Sequence, residues 1–466
     1  MAPPVVICSA AAGVQRLAAR GRQPSGDGGD SGRSWLRGHH NRSRQPVHAR
    51  MSTSVVLRPT RSSRILPPAE AHERSIRRRV ALCWGLLFLN VLPYTKGGTV
   101  IPLPNSIGKA ITQGSLSLAL LVALSVNPRL VIRRNLFLSL MSVLAIDTIV
   151  TAINAQYLRG TSFRTFRFVE FVIVLWLLTP FWGRKDMLLV RYHLKAMFVV
   201  LITVGIGYFI GHGDAMSTGR LTDSIWPAPA TQVAHYAAVS IGIVIVLWMC
   251  RMYKGRSAFF VCAAAAAILL LTHTRTAIIA MVAGLLISGM SMVVTQARVR
   301  KAFAAVGAVV TVAILTLSRI ITSYLTRGQT SSELTGLSGR QGFWTALLSA
   351  PRTPFQEIFG FGITNGSFNG NPIDSNWLLA YQEEGLLGDI VCGTILLVML
   401  VTAFFTPRGV QRALALFLLV YCLLASFTED GFADASTYLL DMAVAASLLV
   451  PAFFASSRPD PEPEPL

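Results

Sequence analysis

Ser338-Gly339-Arg340-Gln341-Gly342-Phe343-Trp344 opens the longest polar interval between the apolar segments of this chain, and Glu383-Glu384-Gly385-Leu386-Leu387-Gly388 closes it. Gly360-Phe361-Gly362 and Asp374-Ser375-Asn376-Trp377 stand between them. Apolar runs precede the interval, and a new one starts as it ends. Each run is near the roughly 20 residues a helix needs to cross a bilayer. The stretch therefore reads as a large loop held by membrane helices, and the expected fold is all-α and polytopic.

Composition agrees. The 466 residues are 52% hydrophobic and 14% charged, with a mean hydropathy of +0.53. A soluble domain carries roughly 25% charged residues. The net charge of +20 would suggest nucleic acid in a soluble protein, but here its placement excludes that partner. Residues 1–79 hold fifteen Arg against four carboxylates, a net of +11, and read as a disordered basic tail in which Met51 is an alternative start. The segment 455–466, ending Pro-Glu-Pro-Glu-Pro-Leu, reads as an extended tail. Cysteines lie in or beside apolar runs or in the tail, with no CxxC or His/Cys cluster, so neither a zinc site nor a disulfide framework is expected.

Between the tails, apolar runs fall at about 80–94, 108–126, 135–154, 165–182, 195–211, 231–250, 257–272, 276–295, 302–318, 385–405, 411–428 and 436–454. Alternate connections, 127–134, 183–195, 251–256, 296–301 and 406–412, carry the Lys and Arg. The positive-inside rule then predicts about twelve transmembrane helices over 80–454 with both termini cytoplasmic. The large extracytoplasmic loop, 319–384, falls between the ninth and tenth. Within it, Ser338–Leu348 reads as a short amphipathic helix with Phe343, Trp344, Leu347 and Leu348 on one face.

Several outer-side residues suit chemistry. Arg275, in Thr272-His273-Thr274-Arg275, has the planar fork that binds phosphate in two places, and an interfacial Arg that snorkels to headgroups is the structural alternative. Arg220 and Arg340 are further cations on that side, and Asp374 and Glu383 are candidate bases. Gly360 and Gly362 mark a turn that allows close approach. Of the ionisable residues inside apolar runs, Glu170 has Arg167 at i−3 as a structural partner, His235 reads as a hydrogen-bonded packing residue, and Asp441 has no assignment.

Taken together, Thr272-x-Thr274-Arg275, Ser338-Gly339-Arg340 with Trp344, Gly360-x-Gly362 and Glu383-x-Gly385-x-x-Gly388 resemble the motifs of the O-antigen ligase and O-antigen polymerase family. The resemblance spans roughly Arg220 to Thr406. It implies a bacterial cytoplasmic-membrane glycosyltransferase, inverting and metal-independent and without a cofactor. Its donor would be a polyprenyl-diphosphate-linked glycan and its acceptor a hydroxyl of a glycan, lipid or protein. Arg220, Arg275 and Arg340 would hold the diphosphate, Asp374 or Glu383 would take the hydroxyl proton, and Trp344, Gly360, Gly362 and Asn376 would shape the loop. One position departs: Ser375 stands before Asn376 where the family commonly has His, and Ser is no general base near neutral pH. A multi-helix transporter or flippase, or a non-catalytic paralogue, are the alternative readings.

Overall fold

The computed structural model describes residues 68–94, 104–154, 158–184, 186–301, 304–305, 340–363 and 366–454. The tails at 1–67 and 455–466, most of the expected run at 302–318 and loop residues 319–339 lie outside them.

The described chain is almost wholly helical. It runs through α1 (Pro68–Val91), α2 (Asn105–Val126), α3 (Leu136–Ile153), α4 (Leu158–Leu178), α5 (Leu188–Ile210), the single turn α6 (His212–Ala215), α7 (Ala230–Met249), α8 (Gly255–Leu271) and α9 (Arg275–Met292). After the undescribed stretch come α10 (Arg340–Leu348), α11 (Pro354–Phe359), a hairpin of β1 (Ser367–Phe368) and β2 (Asn371–Pro372), α12 (Asn376–Phe405), α13 (Val410–Ala425) and α14 (Thr437–Phe454). Among the described residues, six helices are long and apolar enough to cross a membrane: α3, α5, α7, α9, α12 and most of α2. α8, α13 and Thr437–Val450 of α14 are apolar but shorter.

Helices occupy the expected runs outside 302–318, with instructive shifts. α1 starts at Pro68 instead of near 80, so the basic residues read as tail belong to a helix. Arg77 pairs there with Glu73 at 2.9 Å and Asp186 at 3.1 Å, and Arg184 also reaches Glu73 at 2.9 Å. The runs at 257–272 and 276–295 are separate helices, parted by His273 in the left-handed region (φ +52). α12 begins at Asn376 instead of 385, because Leu379, Ala380, Glu383 and Glu384 are buried and extend it. In α10, Leu347 is buried against Ile373 and Leu379 and Phe343 packs on them, but Leu348 is 55% exposed. At 369–370 the hairpin uses an Asn-Gly turn with both φ positive, the geometry two-residue hairpins favour.

α7 is the central helix, with 83% of its apolar window buried. Small residues permit this: Ala234, Ala237, Ala238 and Gly242 let neighbouring helices approach closely. The ring of Phe417 on α13 fills the notch over Gly242, where a Cβ would lie 1.8 Å from it. Large apolar side chains such as Phe209, Phe405 and Ile153 face outward, which suits a lipid surround. Successive helices reverse direction and gather their connections at two ends. At the basic end, Arg79 donates to Ser125 O, Asn127 to Leu177 O and Arg298 to Trp248 O. At the opposite end, Asn90 donates to Thr112 O, Thr428 bonds Thr276, and Thr437 bonds Gln232.

Candidate functional site

The end opposite the basic turns holds a polar cavity of about 380 Å³. It is framed by the end of α1, the starts of α2, α4 and α7, the first part of α12 and the 430–437 turn before α14. Lys109, Arg164 and Arg167 bring positive charge to it, and Glu383, Asp430 and Asp434 bring carboxylates. Arg164 and Arg167 are three apart on α4 and so share a helix face. Arg167 donates from Nη2 to Asp434 Oδ2 at 2.7 Å and to Ala435 O at 3.2 Å. This corrects the pairing expected with Glu170, which instead accepts from Ser117 Oγ at 3.4 Å.

Glu383 reaches the cavity because α12 is broken just after it. Gly385 has φ +67 and ψ −162, a conformation essentially reserved for glycine. The break frees the carbonyls of Gln382 and Glu383 from the helical ladder. They accept instead from the N–H groups of Phe361 at 3.0 Å and Gly362 at 2.8 Å. The Gly360-Phe-Gly362 turn and the Glu383-Glu-Gly385 segment, far apart in sequence, thus form one junction. A Cβ on Gly360 would lie 2.4 Å from Glu383 C, and one on Gly385 would lie 2.4 Å from Ile358 C. Glu383 is 2% exposed and accepts on Oε1 from Gly366 N–H at 3.2 Å. Arg352 clamps the junction: it lies 4.1 Å over the Tyr381 ring and 5.2 Å over Phe361, and donates to Tyr381 O and Gln382 Oε1. Burial lowers its pKa, but a guanidinium keeps its charge.

Neither family models nor curated proteins give a match to this chain.

The other expected residues fall in three places. Arg220 lies against the Thr272–Thr274 stretch, donating from Nε to Thr272 O at 3.0 Å and from Nη2 to Thr274 Oγ1 at 2.9 Å. Arg275 starts α9 beside Thr276, which bonds Thr428 at 3.0 Å, next to the turn that lines the cavity. Neither arginine is itself a cavity-lining residue. Arg340 begins α10, and its side chain lies outside the described residues; Trp344 on the same helix is partly buried. Asp374 is partly exposed and acts electrostatically on Asp430. Asn376 is fully buried and structural in its contacts: its N–H donates to Ser426 O, and its Oδ1 accepts from Phe432 N–H at 2.7 Å. It pins the turn that carries Asp430 and Asp434. Among the described residues, no three of His, Cys, Asp and Glu are placed to hold a metal ion.

Sequence reasoning missed Lys109, Arg164, Asp430 and Asp434. Two signals were present: an Arg-x-x-Arg pair at the head of an apolar run, and three acids within Thr428-Glu-Asp-Gly-Phe-Ala-Asp-Ala-Ser436 between two apolar runs.

The Arg220 loop rests on Asp223. Its Oδ1 accepts from the N–H groups of Ile225 at 2.9 Å and Trp226 at 3.1 Å, and its Oδ2 from Thr203 Oγ1 at 2.9 Å. Burial raises its pKa, and these donors oppose the rise. With the native pKa above the unfolded one, the native state holds the proton better. That contribution is complete below about pH 4 and fades as pH rises through the native value. Asp223→Ala strands two N–H groups and is expected to destabilise by about 1–3 kcal/mol. Asp223→Asn keeps the acceptor for both and is expected to lose less, with a flatter stability–pH curve in that acidic range. Denaturation midpoints of the two variants across pH check this.

Proposed function

We propose that this chain is a membrane glycosyltransferase of the O-antigen ligase or polymerase type, acting on a polyprenyl-diphosphate-linked glycan. The observation that carries the reading is the cavity with cations and carboxylates opposed, Glu383 being delivered to it by the Gly-x-Gly junction. On the positive-inside rule the basic turns face the cytoplasm, so the cavity opens at the outer face of a bacterial cytoplasmic membrane.

In this reading Lys109 and Arg164 receive the diphosphate, with Arg220, Arg275 and Arg340 as outlying cations. Positive charge fixed beforehand stabilises the negative charge that builds on the leaving group. The acceptor hydroxyl oxygen attacks the anomeric carbon from the side opposite the diphosphate. Its O–H bond breaks, and the proton passes to the Glu383 carboxylate. The bond from the anomeric carbon to the diphosphate oxygen breaks with its electron pair going to the diphosphate, and the carbon inverts. Glu383 takes the place of the base that Ser375 cannot supply, and it is preferred to Asp374 because it lines the cavity.

Removing a general base lowers the rate about 10²–10⁴-fold. Glu383→Gln, which keeps the size and the acceptor for Gly366 N–H, is expected to lower glycan transfer in that range with little change in donor binding. Purified protein in detergent, given lipid-linked glycan and an acceptor, supplies the measurement. A Glu383→Gln variant with unimpaired transfer would remove Glu383 as the base. The break in α12 favours a second reading, since transporters place substrate sites on discontinuous helices. The same assay separates the two: a transporter transfers nothing in detergent and shows uptake only in sealed vesicles.

A further inference from the structure

Two buried carboxyls take no part in the chemistry above. Glu384, the residue before the break in α12, is 0% exposed, and among the described residues neither of its carboxylate oxygens has a hydrogen-bond partner. Asp147, in the body of α3, is 2% exposed, and both of its oxygens are likewise unpartnered. α3 packs along α12. The Glu384 carboxylate rests on Gly388, where a Cβ would come within 2.9 Å of Oε2, so the glycine makes room for the acid. Asp147 from α3, Glu383 and Asp389 from α12 and Asp434 from the turn before α14 all lie close enough to add negative charge to Glu384. Asp434 is paired with Arg167. Cys392, 2% exposed, sits among Glu384, Asp389 and Asp147.

A bare carboxylate in a low-dielectric interior is costly unless it is paired or neutralised. Negative charges carried on two packed helices repel as well. Ionisable groups at membrane depth commonly mark proton pathways. Among the described residues no three metal ligands converge, and a buried carboxyl commonly neutralises itself by holding a proton. We propose that Glu384 and Asp147 form a proton-binding site between α3 and α12, at the inner side of the cavity.

A bound proton turns one carboxylate into a carboxyl whose O–H can donate to the other residue's oxygen. It exchanges with water at the cavity, where Glu383, the adjacent residue in the chain, lies. Loss of the proton sets like charges against each other across the α3–α12 contact, beside the break that positions Glu383. The site thus makes this junction responsive to pH, and it stands whether or not the chain transfers glycans.

Infrared difference spectroscopy of the full-length protein in lipid nanodiscs tests this. At neutral pH a carboxylic-acid C=O band that shifts on deuterium exchange is expected. It should diminish in Glu384→Gln and in Asp147→Asn and vanish in the double variant. The melting midpoint of the unaltered protein should fall at alkaline pH, and that of the double amide variant should not. The double variant keeps the shape and removes both charges, so it carries the test where a single variant fails to fold. A spectrum without a carboxylic-acid band from these residues at neutral pH, or an equal alkaline loss in the double variant, overturns the proposal.

Discussion

Gly385→Ala is expected to open the junction between the Gly360–Gly362 turn and α12, abolishing the proposed glycan transfer and lowering stability by about 2–6 kcal/mol. Two effects add. The backbone at φ +67, ψ −162 lies where a side chain costs about 1–3 kcal/mol. A Cβ would also sit 2.4 Å from the carbonyl carbon and oxygen of Ile358 and 2.6 Å from Gly360 N. Those are backbone atoms that cannot swing aside, and overpacking of this kind costs about 1–3 kcal/mol more. Against a total stability of about 5–15 kcal/mol the loss is large. Gly360→Ala meets the same obstacle from the other side, 2.4 Å from Glu383 C and Glu384 N with φ +77, and should behave alike. Gly205→Ala is the control: its Cβ meets nothing within 4 Å and its φ is ordinary. Denaturation midpoints and transfer rates of the three variants give the comparison. If Gly385→Ala matched Gly205→Ala in both, the junction would not be what delivers Glu383.

That junction shows how far the sequence could be read. Both halves were visible, Gly360-x-Gly362 as a turn built for close approach and Glu383-x-Gly385 as a motif at the head of a helix. Their mutual contact was not, because a glycine in a sequence announces freedom but not what exploits it. The helices were readable from apolar runs because lipid imposes one length and one polarity on every crossing. Their ends were less so. Arg74–Arg79 read as a charged tail, yet Arg77 meets Glu73 and Asp186 and the helix continues through them. The cavity's charges were the hardest. Arg167 had a neighbour of the right sign three residues on, and local spacing favoured Glu170. The true partner, Asp434, comes from the other end of the chain, and only the packing of α4 near the turn before α14 brings it to 2.7 Å. The contact of Arg220 with Thr272–Thr274 was not announced by the sequence, and none of these residues lines the cavity.

Asp441 is fully buried in the bundle's core between two histidines. Its Oδ1 lies 2.6 Å from His193 Nε2 on α5, and its Oδ2 lies 3.0 Å from His235 Nε2 on α7, off the hydrogen-bond axis. All three side chains are 0% exposed. Aromatic rings close the surroundings: Tyr438 stands 4.3 Å from His235, and Phe88 5.7 Å from His193. One residue of α14 thus ties three helices together. Asp441→Ala removes the shared partner of two buried imidazoles and leaves a void, and loss of one member of a buried polar pair costs about 3–5 kcal/mol. Asp441→Asn keeps the shape, offering an oxygen to one imidazole N–H and an N–H to the other's lone pair, and should lose nearer 1 kcal/mol. The effect should also reach the site. Thr437, four residues earlier on α14, bonds Gln232 on α7 at 3.0 Å, and both residues line the cavity. Loosening α14 against α7 should widen the cavity, so Asp441→Ala is expected to weaken binding of the proposed donor more than Asp441→Asn does. Melting midpoints and donor titrations of the two variants decide it. An alanine variant as stable as the asparagine one would mean that the imidazoles do not depend on this carboxylate.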